Sequence, residues 1–209
     1  MERNLILKGN LCYSQDSKNL IMAKNSFLIC ENGKSVGIFQ KIPEKYQNFI
    51  IKDYGDCLII PGCTDLHLHA PQFAFRGFGM DLELLDWLEN ITFPEEAKYA
   101  DLEYADRAYQ MFAENIKKSA TTRAVIFGTI HIKSTICLMD YMEKTGLKTY
   151  IGKVNMDQNA PEFLCEKNAG DSLRATKEWL EQVQNRYENV KPILTPRFIP
   201  VSYTHLIPK

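Results

Sequence analysis

The 209-residue chain carries 25 Lys and Arg against 26 Asp and Glu, a formal charge of -1, and 45% hydrophobic residues. That balance supplies no electrostatic footprint for nucleic acid or an anionic membrane, while the apolar content suffices for a sizeable core. No stretch approaches the roughly 18 uncharged apolar residues of a bilayer span, and no apolar segment follows Met1-Glu2-Arg3-Asn4, so a cytoplasmic location is expected.

Residues 1–60 read as a small β module. Leu5-Ile6-Leu7, Ser26 to Cys30, Val36 to Phe39 and Phe49-Ile50-Ile51 are strand-like, and Glu31-Asn32-Gly33-Lys34 has the Asn-Gly pair of a hairpin turn. From residue 61 to about 200, strands alternate with helices, the pattern of βαβ units on a parallel sheet. One long helix is expected from Pro94 to Lys118, opened by Thr92-Phe93-Pro94-Glu95 at capping-box spacing. A strand at Ala124 to Phe127 leads to a helix from Ser134 to Lys144, ended by Gly146 at the C′ position. A strand at Thr149 to Val154, a helix capped by Asp171 or Ser172, and a strand at Pro192 to Thr195 follow. The charge pairs Glu95-Glu96 and Lys117-Lys118 read as solvated helix ends that suit the dipole.

Six cysteines at positions 12, 30, 57, 63, 137 and 165 form no C-x-x-C pair, which favours free thiols over a disulfide framework. The P-C-x-x-C and H-x-E of a cysteine-held deaminase zinc site are also absent. The chemistry concentrates instead in Pro61-Gly62-Cys63-Thr64-Asp65-Leu66-His67-Leu68-His69-Ala70. A strand turns alternate side chains to one face, so His67 and His69 can close on a single metal ion, with Asp65 on the same face.

This string resembles the amidohydrolase superfamily. His69 to Gly77, Met80 to Leu88, Thr92 to Glu96, Gly128-Thr129-Ile130-His131, Gly152 to Asp157 and Thr195-Pro196-Arg197-Phe198 narrow the resemblance to the guanine deaminase family. It implies an α/β fold: the N-terminal part of a TIM-like (β/α)8 barrel, about four βα units, preceded by a small β-sandwich module. Residues 201–209 match nothing expected of the family, and the four βα units are half of a closed barrel, so a fragment is expected.

The resemblance further implies hydrolysis of guanine to xanthine and ammonia by a metal-activated water. His67 and His69 would hold one Zn2+ per active site, iron being the alternative. His69, Gln72, Arg197 and Phe198 would contact the substrate: an amide can donate to and accept from a purine edge, and an arginine fork can meet its carbonyl oxygen and ring nitrogen. The remaining metal ligands and the proton-shuttling glutamate would lie beyond these residues, leaving no catalytic residue within the chain. His131 reads as structural or as a neighbour of the ligands, and His205 carries no role. Trp87 and Phe93 suit either a pocket wall or a packed helix. The expected partner is guanine, with neither nucleic acid nor membrane, and a homodimer is open to the full-length protein. Cytosine deaminase and cyclic-amide hydrolase activities, or a non-catalytic half-barrel, are the alternatives.

Overall fold

The computed structural model describes residues 4–197, and the chain divides into two compact units at Pro61/Gly62. The first unit is one mixed sheet of β1 (Leu5–Ser14), β2 (Leu20–Glu31), β3 (Lys34–Phe39) and β4 (Ile50–Ile59), in the order β3-β2-β1-β4. β1 and β2, like β2 and β3, are antiparallel, whereas β4 lies parallel to β1. The β2–β3 hairpin turns on Asn32 and Gly33, both at positive φ (53° and 77°), the conformation an Asn-Gly pair adopts at little steric cost. Ile6, Ile29 and Tyr46 form its buried core, flanked by Phe27, Phe39 and Phe49. Of the expected sandwich, the described residues supply this single layer.

The second unit is built on a parallel sheet, β5 (Cys63–His69), β6 (Thr121–Phe127), β7 (Lys148–Gly152) and β9 (Val190–Pro192), in the order β5-β6-β7-β9. Beyond β7 and β9 the chain resumes as β8 (Val154–Asn155) and β10 (Thr195–Pro196), which also pair in parallel. Three amphipathic helices, α3 (Leu102–Lys117), α4 (Ile132–Thr145) and α5 (Ala169–Val183), follow the strands. Their buried residues, among them Tyr109, Phe112, Leu138, Met139, Met142 and Trp179, pack with Ala124, Ile126 and Ile151 of the sheet in one core. This is the partial barrel that the strand–helix alternation implies.

Gly152 is required by close approach rather than by backbone angle. A Cβ there would strike the Thr195 side chain and sit 2.6 Å from the Ile193 carbonyl oxygen. Gly146 ends α4 in the left-handed conformation, φ 76°, as its place in the sequence suggests.

Two expectations are corrected. The long helix from Pro94 is two helical stretches broken at Asp101, whose backbone is extended (φ -79°, ψ 116°) and whose carboxylate accepts from the Glu103 N–H to cap α3. The first stretch begins earlier, with α1 (Leu84–Trp87), runs through a π-turn at Leu88–Thr92 and continues as α2 (Phe93–Ala97). Thr92 is therefore interior to a helical path, and its side chain makes no cap bond. The π-turn bonds Phe93 N–H to Leu88 O just ahead of Pro94, whose own nitrogen has no hydrogen to give. The second correction is at α5, where Asn168 is the cap, its side chain accepting from Asp171 N–H. Asp171 and Ser172 lie one turn inside.

All six cysteines are free. No helix among the described residues is long and apolar enough to cross a membrane.

Candidate active site

The C-terminal ends of β5, β6 and β10 converge on a cavity of about 650 Å³ whose lining includes His67, His69, Gln72, Trp87, Leu88, Phe127 and Arg197. Substrates bind at this end of parallel strands in barrel folds. A groove of similar size, about 680 Å³, lies along α3 and holds none of the predicted site residues; it shares Phe73 and Arg76 with the first cavity.

His67 and His69 leave β5 on the same side, with their Nε2 atoms 3.2 Å apart. Two donors on one tetrahedral zinc ion, each about 2.0–2.1 Å from it, lie about 3.3 Å apart, so the pair has the spacing of two ligands. Phe127, at the end of β6, stacks on the His69 ring at 4.5 Å and 6°, fixing its plane. Burial, then the Arg197 charge, then His67 depress the His69 pKa to about 3, which keeps the imidazole neutral with a lone pair to donate. Asp65 does not join them. The strand is irregular between Asp65 and Leu68, and the Asp65 carboxylate accepts from the His67 backbone N–H at 3.0 Å. Among the described residues no third His, Cys, Asp or Glu completes a metal cluster.

Gln72 sits in the short helical turn Ala70–Phe75 that follows β5. Tyr99, 1% exposed, pins this turn by donating from its hydroxyl to Pro71 O at 3.1 Å. Burial and the neighbouring Tyr104 and glutamates push the Tyr99 pKa up, so the hydroxyl remains a donor.

Arg197, 8% exposed, reaches the same cavity from the end of β10. Its Nη1 donates to Glu96 Oε2 at 2.6 Å and its Nη2 to Glu96 Oε1 at 3.3 Å. Gln72 Nε2 donates to that same Oε1 at 3.3 Å. One carboxylate thus bridges the two side chains expected to read the substrate. Glu96 is 3% exposed, which overturns its reading as a solvated charge at a helix end. Glu95 alone faces outward, pairing with Lys98. The signal was in the spacing: Leu88, Thr92, Glu96 and Tyr99 recur at helical intervals and are all buried, so Glu96 occupies the inward stripe. Removing one partner of such a buried pair leaves the other charge stranded, at a cost of about 3–5 kcal/mol.

A second buried network sets the strand ends that carry Arg197. Lys153, between β7 and β8, has a fully buried side chain and donates to Glu166 Oε1 at 2.6 Å and to Val154 O at 3.0 Å. Burial lowers the Lys153 pKa, with Glu166 opposing. The other Glu166 oxygen accepts from Met156 N–H and from the Ser172 hydroxyl. Asn155 donates to Ser172 and Thr176 of α5, and its carbonyl accepts from Arg197 N–H at 3.4 Å. Lys153 and Glu166 gave no functional signal in the sequence, because only the fold brings them together.

Trp87 lines the cavity and donates to Phe78 O at 2.9 Å, while Phe93 is buried with the Arg197 guanidinium 5.4 Å above its ring. His131 precedes α4 and its Nε2 is buried with no hydrogen-bond partner among the described residues. Burial and then Lys153 lower its pKa, and it stands apart from the cavity lining. Phe198, His205 and residues 201–209 lie outside the described residues.

With this geometry in view, the amidohydrolase family profile matches residues 58–201. The chain belongs to the amidohydrolase family. Guanine deaminase of Rattus norvegicus is 41% identical over 142 residues, covering 66% of this amidohydrolase chain and 31% of that protein. Guanine deaminase of Escherichia coli K12 is 36% identical over 172 residues, 82% of this chain and 37% of that one. The crystal structure of guanine deaminase from C. acetobutylicum with bound guanine superposes with a TM-score of 0.90 at 41% identity, covering 97% of this chain and 48% of that one. The amidohydrolase chain therefore spans about a third of the curated relatives and about half of the solved structure.

Proposed function

We propose that this chain supplies the metal-holding and base-reading side of a guanine deaminase, which converts guanine and water to xanthine and ammonia. In that reaction the C2–N bond breaks and a C2–O bond forms. Amidohydrolases are metal-dependent, and we assign the ion as zinc, with iron as the alternative. His67 and His69 would hold it; once bound, such an ion polarises water and the substrate for attack at neutral pH.

The chain's own residues do the rest of what is proposed here. Gln72 and Arg197 fix the flat base through its polar edge, with Arg197 meeting the carbonyl oxygen and ring nitrogen. His69 would serve both as a metal ligand and as a substrate contact, and Phe198, next to Arg197 in the sequence, would be a further substrate contact. Trp87 and Leu88 supply apolar surface to one wall of the cavity. The observation that carries the reading is the pair of Nε2 atoms at ligand spacing, opening onto the same cavity as a glutamine and an arginine tied to one carboxylate.

The test is loss of guanine absorbance, with ammonia released in equal amount, by zinc-loaded intact protein carrying this chain. Turnover of cytosine or a dihydropyrimidine in place of guanine would move the protein to another amidohydrolase branch.

A further inference from the structure

We infer that Glu96 is a positioning residue for substrate recognition: its carboxylate holds the Arg197 fork and the Gln72 amide in one fixed orientation, and thereby sets selectivity for a 6-oxopurine. The inference rests on the guanine deaminase reading and extends it to a residue that contacts neither metal nor base.

The chemistry follows from donors and acceptors. A carboxylate carries acceptors only, so the Gln72 amide must turn its nitrogen toward Glu96 Oε1, which leaves its oxygen facing away as an acceptor for a base N–H. The bidentate contact from Nη1 and Nη2 fixes the plane of the Arg197 guanidinium, a group whose recognition depends on that plane. Met156 Sδ, 3.4 Å from Nη1, flanks the same nitrogen, and Phe93 lies below the guanidinium. Because the Glu96–Arg197 pair is buried, with side-chain exposures of 4% and 6%, water competes little for either group. The pair is also neutral as a unit, which suits a neutral base better than a lone buried guanidinium would.

Glu96→Gln keeps the shape and removes the constraint, since an amide both donates and accepts and so permits the Gln72 side chain to flip. The informative readout is the ratio of inhibition constants for purine and hypoxanthine against guanine turnover by the zinc-loaded intact protein. Hypoxanthine keeps the 6-carbonyl and purine lacks it, and a ratio measured on one preparation cancels the fraction of protein that is folded. The wild-type protein is expected to favour hypoxanthine by about 10- to 100-fold, the scale of a charge-assisted hydrogen bond. Glu96→Gln is expected to reduce that preference about tenfold, with bound zinc unchanged and the guanine KM raised more than kcat is lowered. Glu96→Asp, which keeps the charge at shorter reach, should recover part of the preference, and it carries the test if Glu96→Gln is inactive.

An unchanged ratio in Glu96→Gln, or a wild-type protein that does not distinguish the two inhibitors, would overturn the inference while leaving guanine deamination intact. Loss of the fold in both variants would overturn it too, by giving Glu96 a scaffold role. A wild-type protein that turns over no guanine would instead overturn the functional reading on which the inference stands.

Discussion

The two sides of the cavity are built differently. On the side of the two imidazoles, His67 is exposed, and its ring is met by His69 and Phe127. On the opposite side, Gln72, Glu96 and Arg197 are joined by hydrogen bonds and backed by Tyr99, Met156 and the Lys153–Glu166 network. The difference teaches that Gln72, Glu96 and Arg197 are oriented by one another, whereas among the described residues no further donor joins the two imidazoles. Preorganisation of that kind lowers the cost of binding because the orienting groups are ordered before the ligand arrives.

The largest expected effect comes from the sparse side. In the intact protein, His67→Ala or His69→Ala should abolish zinc retention and lower guanine turnover by on the order of a thousandfold or more. Metal analysis beside a turnover assay reads both, and a variant that keeps full zinc occupancy would break the assignment. On the wired side, Arg197→Lys should raise the guanine KM by about 10- to 100-fold, since an ammonium cannot reproduce the fork. Zinc content should stay at the wild-type level, and equal loss of metal in both sets of variants would erase the distinction between the two sides.

Smaller effects test the scaffold. Gly152→Ala should lower stability by about 1–3 kcal/mol through overpacking against Thr195 and Ile193, read as a lower denaturation midpoint. Its effect on KM should exceed its effect on zinc content, because the displaced strand end carries Arg197. The smallest effect lies at the opposite end of the sheet. Glu143 on α4 accepts from the backbone N–H groups of Glu188, Asn189 and Val190. Partial burial pushes its pKa up, but these bonds outweigh that, and the net value falls below the ordinary 4.5. A depressed folded-state pKa contributes stability above the unfolded value that is lost as pH falls through the folded one. Urea midpoints of the wild type and Glu143→Gln should therefore differ at neutral pH and converge as the pH falls below the ordinary 4.5, with guanine KM unchanged. A constant gap across that range would show that the carboxylate charge is not what holds the start of β9.

The fold was readable where one signal dominated. Asn32-Gly33 marked a hairpin, Gly146 a helix end, and the alternation after Gly62 a parallel sheet. Around Pro94 the sequence misleads, because Thr92 and Glu95 have capping-box spacing, yet the π-turn lets the helical path run through them toward Asp101. In the site, residue type and family context single out His67, His69, Gln72 and Arg197, and these four line one cavity. Strand alternation groups Asp65 with the two histidines, but its carboxylate accepts from the His67 backbone N–H and it does not line the cavity. The burial of Glu96 is legible in its helical spacing with Leu88, Thr92 and Tyr99, but its pairing with Arg197, 101 residues away, is encoded by no local pattern.

The near-parallel stacking of Phe127 on His69 gives the site a built-in magnetic gauge. Protons of the imidazole lie in the shielding cone of the phenyl ring, so their resonances should be displaced upfield. A tilt of the imidazole on taking up a cation would move them, and titrating zinc or a closed-shell substitute such as cadmium would then report occupancy proton by proton, independently of any turnover.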